Sequence, residues 1–381
     1  MKIKKICFLA GEYPTPEKPK SAVFYQNLIH EFAKMNIECR VIHPFAINYN
    51  IRKTTVKRVD ITADNYKVKV YRPKTITLGA KKIGKWNTAY ATACLYTYSV
   101  KRILRKMDWK PDIFYAHFIS PAGVIASKLS KEMNIPAFIA YGESEPWSIN
   151  TIGVKRCQHL LSSINGFISV SSKNKNDLIK LDISDEDKVR VFPNAINNDI
   201  FFKRDKIQAR QKMGWSNDKF IVSFVGHFND RKGVLRLQEA VKDMNNVYVA
   251  YAGSGDLEPK SKNIIFCGNI SPDLMPWFLS ASDVFVLPTL NEGCCNAIIE
   301  AMACGLPIIS SNRAFNYDIL SYDNSILIDP ENIEEIKNAV IKLRDDEGLR
   351  KSLKENSLKT SYRLTLKERS KNIIEWMEER C

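Results

Sequence analysis

The stretch DVFVLPTLNEGCCNAIIEAMACGLPIISSN, residues 283–312, decides the fold. Residues 284–288 are an apolar run of strand length. After a loop, a helical stretch opens near Cys295 and is stopped by Gly305 with Pro307 behind it, and residues 308–310 form a second apolar strand. Strand, helix and strand in that order make a βαβ unit, whose strands are expected to run parallel. Two carboxylates, Glu292 and Glu300, stand eight residues apart in a segment otherwise apolar and almost free of charge. A carboxylate in apolar surroundings needs donors to hold, so the pair marks a ligand site.

Outward from this unit the same alternation runs through the whole chain. Strands are expected at 4–10, 38–43, 112–117, 137–141, 167–171 and 189–194, with helices at 21–35 and 123–133 between them. After Asn194 the pattern restarts with a strand at 220–226 and continues to the unit just described. The fold class is therefore α/β, with two Rossmann-like parallel-sheet domains facing a cleft. The boundary falls near 195–205, giving domains 1–198 and 199–363, and a tail helix over about 364–381 is expected to pack back on the first domain. Trp86, Tyr90, Ala93, Val100, Leu104 and Met107 recur at helical spacing and read as a core stripe, with Lys101, Arg102, Arg105 and Lys106 placed to meet lipid headgroups. Residues 50–80 are basic and β-branched and give no clear pattern.

At 381 residues, with 45% hydrophobic and 26% charged residues, the composition is that of a globular protein of two domains of ~150 to 200 residues. No run approaches the ~18 apolar residues of a membrane span, and MKIKKICFLAGEYP turns polar too early for a signal peptide, so a cytoplasmic location is expected. Nine cysteines without a CxxC pair read as reduced, mostly buried thiols. Residues 1–200 hold 32 Lys and Arg against 17 Asp and Glu, whereas 201–381 hold 25 of each, so the whole excess of +15 sits in the first half. That field points to an anionic target. A membrane surface or a phosphate-bearing substrate ranks above nucleic acid, for which no recognition motif is visible.

In parallel sheets ligands gather beyond the carboxyl ends of strands, which singles out His117, Tyr141 and Glu143. Gly293, Cys294, Cys295, Asn296 and Ala297 lie at a helix entrance, where free N–H groups and the helix dipole favour an anion. The loop Gly226-His-Phe-Asn-Asp-Arg-Lys-Gly233 adds Arg231 and Lys232 at a second helix start. Together these suit a diphosphate. Glu300 is placed to accept both hydroxyls of a ribose, and Glu292 to reach a sugar beyond the phosphates, which is the order of groups in a nucleotide sugar. The competing reading makes Glu300 an ordinary helix carboxylate and Glu292 a first-turn partner of the helix dipole. A nicotinamide enzyme is disfavoured, because Gly11 stands alone after the first strand and Gly253-Ser-Gly255 lacks the third glycine of that fingerprint.

The run from Glu292 to Pro307 resembles the E-x7-E signature of the retaining family 4 glycosyltransferases, which have the GT-B fold. YPTPEKPKSAVFYQNLIHEF, PDIFYAHFISPAGVIASKL, ISVSSKNKNDLIKL, FPNAINNDIF and VGHFNDRKG extend the likeness over nearly the whole chain, in order. The resemblance implies that Glu300 holds the ribose, Glu292 the donor sugar, and Lys232 and the 293–297 backbone the diphosphate. It implies transfer on the donor's own face, with the leaving diphosphate helping to deprotonate the acceptor and with no metal or other cofactor. His117 and Glu292 are the catalytic candidates; Gly226, His227, Arg231, Lys232, 293–297 and Glu300 the donor-binding ones; Ser21, Tyr141 and Glu143 the acceptor-side ones. Three positions depart from the family. His227 stands for an Arg, Ser21-Ala22 for a glycine pair, and Tyr141 for a His. The only DxD, Asp185-Glu-Asp187, reads as surface charge. Family habit and the basic first half imply a saccharide acceptor, lipid-linked, at the inner membrane face, as in capsule, exopolysaccharide or lipopolysaccharide assembly. A nucleotide-sugar epimerase or hydrolase of the same fold, and a non-catalytic nucleotide-sugar-binding protein, are the alternatives.

Overall fold

The computed structural model describes residues 1–19, 21–48, 59–62, 64–84 and 86–381. The chain divides into two compact units, Met1–Phe192 with Arg369–Cys381, and Pro193–Glu368.

The first unit contains β1 (Lys5–Leu9), α1 (Val23–Lys34), β2 (Glu38–Ile42), β3 (Val59–Ile61), β4 (Lys67–Tyr71), α2 (Ala89–Leu104), β5 (Ile113–His117), α3 (Val124–Met133), β6 (Ala137–Tyr141), α4 (Trp147–Ile152), β7 (Gly166–Ser169) and β8 (Val189–Val191). The strands form one sheet in the order β8-β7-β6-β5-β1-β2-β4-β3, parallel throughout except for β3, which runs antiparallel to β4. Helices cover both faces. α1 buries Tyr25, Leu28, Ile29 and Phe32, the spacing of one helical stripe, on one side. α2 buries Ala93, Val100 and Leu104 on the other, while Tyr90 and Met107 pack against the same core. The expected core stripe is therefore real; the Trp86 side chain lies outside the described residues, as do residues 49–58 of the stretch that gave no pattern.

The second unit holds β9 (Phe220–Val225), α5 (Val234–Val241), β10 (Val247–Ala252), β11 (Ile264–Gly268), β12 (Val284–Leu287), α6 (Asn296–Ala303), β13 (Ile308–Ser311), β14 (Ser325–Ile328) and α7 (Glu347–Ser361). Its sheet is fully parallel in the order β11-β10-β9-β12-β13-β14, and Phe285, Val286 and Leu287 pair with Ile308, Ile309 and Ser310, as a βαβ unit requires. At the amino-terminal edge of this sheet the buried Arg210 guanidinium donates to Asp283 at 2.7 Å, and the same carboxylate accepts the Ile221 N–H.

The first unit is closed by the end of the chain. α8 (Leu366–Glu379) buries Ile373, Ile374, Trp376 and Met377, and the Trp376 ring lies 5.9 Å from Phe138 and 5.7 Å from Phe192. A Cβ at Gly166 would come within 2.5 Å of that indole, so this contact requires glycine. The first unit ends at Phe192 rather than at 198, because the following segment is tied to the second unit. Ile196 bonds to Leu364 and Leu366 through its backbone, and Asn194 Nδ2 donates to Cys294 O at 3.0 Å.

Candidate active site

In the second unit the strand order reverses between β9 and β12, so the loops leaving their carboxyl ends diverge and expose a crevice. Both loops singled out in the sequence are here. They are stitched together by Leu290 N donating to Arg231 O at 2.8 Å and Thr289 Oγ1 to the same oxygen at 3.1 Å. This brings Arg231 and Lys232 onto Glu292. Lys232 Nζ lies 2.6 Å, Arg231 Nη1 2.8 Å and Thr289 Oγ1 2.8 Å from Glu292 Oε1. All three contacts fall on one oxygen and leave Oε2 to other donors. Glu292 itself is only 9% exposed. Burial opposes the charge on Lys232, but the Cys295 sulfur and the Glu292 carboxylate more than offset it, so its pKa is raised and the ammonium stays charged. Sequence reasoning treated the cations and the carboxylate as separate groups; the structure makes them one cluster.

Gly293 and Cys294 complete the loop into α6, whose N-cap residue Cys295 is extended and makes no side-chain capping bond, with Asn296 and Ala297 forming the first turn. One turn further on, the Glu300 carboxylate has no hydrogen-bond or ion-pair partner among the described residues. Burial alone raises its carboxyl to about 7 from an ordinary 4.5. A partnerless carboxylate held this way is poised to accept hydroxyl donors.

Beside these loops a cavity of about 320 Å³ opens beyond the ends of β9, β10 and β11. Gly226, the exposed His227, Gly253, Ser254, Asn269 and Met275 line it. Its floor is backbone, since a Cβ on Gly253 would fall 1.9 Å from Gly226 O. Ser254, Asn269 and Met275 were missed in the sequence, although the Gly253-Ser-Gly255 run was the signal. Gly253→Ala is expected to force these loops apart at a cost of about 1–3 kcal/mol. Urea unfolding would read the loss, and calorimetry with a nucleoside diphosphate should show binding at least tenfold weaker.

The first unit has the corresponding reversal between β1 and β5. There a cavity of about 450 Å³ is lined by Glu12, Ala22, Phe24, His117, Glu143 and Trp147, among others. The His117 ring packs on Phe24, Tyr25 and Phe118, and its Nδ1 has no hydrogen-bond partner among the described residues. Burial, reinforced by the Arg369 charge, holds its pKa near 3, so the imidazole is neutral at neutral pH. Burial also raises the pKa of Glu143, partly offset by two hydrogen bonds from Ser148.

One acceptor-side expectation is corrected. Tyr141 does not face the cavity. It is fully buried in the layer that holds Ile139, where alternate residues of β6 point. Ser21 donates to the cavity-lining Glu12 at 2.9 Å, and its neighbour Ala22, in a left-handed conformation at φ 53°, lines the cavity. Such a backbone favours glycine.

Two family models match, one to each unit. The Glycosyltransferase Family 4 model covers residues 21–200, and the Glycosyl transferases group 1 model residues 205–360. The chain belongs to the family 4 glycosyltransferases. This glycosyltransferase is 25% identical over 362 residues to TuaC of Bacillus subtilis (strain 168), a glycosyltransferase assigned to teichuronic acid biosynthesis, with 90% of each chain covered. It is 31% identical over 201 residues to the Escherichia coli UDP-Gal:alpha-D-GlcNAc-diphosphoundecaprenol alpha-1,3-galactosyltransferase, covering 48% of this chain and 52% of that one. Its GT-B fold is shared with HepE of Anabaena, solved with UDP and glucose, at a TM-score of 0.72 and 16% identity over 99% of this chain and 100% of the other. In the glycosyltransferase the DxD carboxylates go separate ways: Asp185 to Lys188, Glu186 to Lys175 and Asp187 to Arg380. Among the described residues no group of three or more His, Cys, Asp or Glu is gathered for a metal. All nine cysteines are free thiols, six of them buried.

Proposed function

We propose that this glycosyltransferase is retaining and moves a hexose from a nucleoside-diphosphate sugar to a lipid-linked saccharide during surface polysaccharide assembly. The observation that carries the reading is the Glu292 carboxylate, fixed through Oε1 by Lys232, Arg231 and Thr289 with Oε2 left over. A sugar hydroxyl can take Oε2 while the diphosphate draws on the two cations. Glu300 accepts the ribose diol, and the base enters the glycine-floored cavity beside Gly226 and His227. The N–H groups at 293–297 and the side chains of Lys232 and Arg231 stabilise the departing diphosphate, and no metal or other cofactor is required.

The acceptor sits in the first unit's cavity. The exposed rings of Phe24 and Trp147 suit the apolar faces of a sugar, and Glu143 suits its hydroxyls. With a pKa near 3, His117 is too weak a base to take the acceptor's proton, so it orients the acceptor and the leaving diphosphate takes the proton. The two relatives named above, one assigned to teichuronic acid and one acting on a diphosphoundecaprenol-linked sugar, support a lipid-linked saccharide. A panel of UDP-, GDP- and ADP-sugars, with detection of released nucleoside diphosphate, tests this. Acceptor-dependent release with the donor's anomeric configuration kept in the product is expected. Release without acceptor would make the protein a hydrolase, and no release with any donor and acceptor would make it a binding protein.

Among the described residues no helix is long and apolar enough to cross a membrane. A peripheral, cytoplasmic-face location is proposed instead, from α2. Its solvent side presents Leu95, Tyr98, Arg102 and Arg105 on one stripe, Tyr98 being 72% exposed, and Lys106 follows. Lys101 is occupied by Glu132, whereas Arg102, Arg105 and Lys106 have no ion pair among the described residues. Cations beside exposed apolar rings suit an anionic bilayer. At about 1 kcal/mol per cation near a charged surface, replacing the three by Gln should weaken sedimentation with phosphatidylglycerol vesicles roughly 100-fold. An unchanged fraction bound would rule out this face.

A further inference from the structure

At the amino-terminal edge of the second unit's sheet, opposite the donor loops, a cavity of about 250 Å³ is lined by six cations: Lys203, Arg204, Lys206, Arg350, Lys351 and Lys354. The sequence from 201 onward carries no net charge, so this gathering does not follow from a generally basic surface. Two carboxylates share the cavity, and between them they pair with only one of the six cations, Lys206. Asp283 is already held by the buried Arg210 and by Lys206, and Glu347 is exposed. The guanidinium of Arg204 lies over the rings of Phe202 and Trp277 and donates to the Ile200 and Phe202 carbonyls, while Arg350 donates to Leu343 O and Arg344 O. Carbonyls satisfy their N–H groups but leave the charge uncompensated. The ammonium groups of Lys203, Lys351 and Lys354 have neither a hydrogen bond nor an ion pair among the described residues.

We propose that this cavity is a second anion site, taking a ligand with a multiply charged phosphate group. Arg350, Lys351 and Lys354 share one face of the first two turns of α7 and all three line the cavity, near the helix end whose dipole favours an anion. Lys203 closes the opposite wall, its stem lying over Gly305. Four or more like charges around so small a volume repel one another until an anion enters. Lys354 registers this, since burial and then the nearby Lys203 and Lys206 push its pKa down. The cavity stands apart from the donor carboxylates, which lie at the other end of the sheet.

Two sources of such a phosphate can be told apart. The full chain is titrated with inorganic pyrophosphate by calorimetry in 0.1 M salt, and separately sedimented with vesicles containing phosphatidic acid. The comparison variants are Lys203→Gln/Lys354→Gln and, as a control on the donor loops, Lys232→Gln. A soluble ligand predicts a pyrophosphate event that is weakened at least tenfold in the double variant and kept in Lys232→Gln. A lipid headgroup predicts the same loss with vesicles but not with pyrophosphate. If the double variant binds both probes as the wild type does, the proposal is overturned. Misfolding is not the expected obstacle, because removing two mutually repelling cations should raise the unliganded Tm, and a lowered Tm would itself count against an uncompensated cluster.

Discussion

Glu300→Gln is expected to weaken donor binding roughly 100-fold and at the same time make the unliganded protein more stable above neutral pH. In the wild type the carboxyl has a pKa of about 7 when folded, against an ordinary 4.5. A carboxyl whose pKa is raised by folding contributes its stability below the unfolded value and loses it as pH rises through the folded one, here between about 4.5 and 7. The full shift corresponds to about 3 kcal/mol; part of the residue reaches solvent, which lowers the expectation to about 2 kcal/mol. Glutamine does not titrate, so the gain should be present at pH 8 and small at pH 5 in urea unfolding. Binding should move the other way. A ribose diol offers two donors to an ionised carboxylate, whereas an amide has one acceptor, and a loss of roughly 100-fold follows. The same logic makes wild-type donor affinity rise between pH 6 and 8, with proton release on binding. A variant neither more stable at pH 8 nor weaker for donor would remove Glu300 from the site.

The second large effect concerns Glu292. Replacing it by Gln removes the charge that holds Lys232 and Arg231 while keeping the shape. Turnover should fall by about 10²–10³, because the donor sugar loses its acceptor oxygen and its placement. The nucleoside diphosphate product should nevertheless bind more tightly, by about tenfold, since two cations no longer have an internal partner. Weaker transfer with stronger product binding separates this arrangement from a general loss of structure. Unchanged turnover would sink the role proposed for Glu292.

Much of the scaffold was legible because it rests on local periodicity. The unit at 283–312 is found within a residue or two of where its apolar runs, Gly305 and Pro307 put it, and the stripe of α2 is core as its spacing required. What escaped depends on contacts between distant segments. Nothing in the sequence says that Lys232 reaches Glu292 across 60 residues, because spacing assigns each to a loop and not to a partner. Tyr141 was misplaced for a different reason. A central strand covered on both faces is apolar throughout, so its sequence does not reveal which side chains point to which layer. The cluster around Lys354 was hidden by charge balance, since a neutral half of a chain gives no hint that its cations gather in one place.

The position of Trp376 bears on the order in which the chain can fold. Its indole fills the space between Phe138 and Phe192, against a glycine that has no side chain to substitute for it. During synthesis the first unit therefore emerges with a gap in its core that stays open while all of the second unit is made. Only when α8 leaves the ribosome can that gap close. The first unit is thus started before the second and completed after it, and until then its stability is that of an unfinished domain.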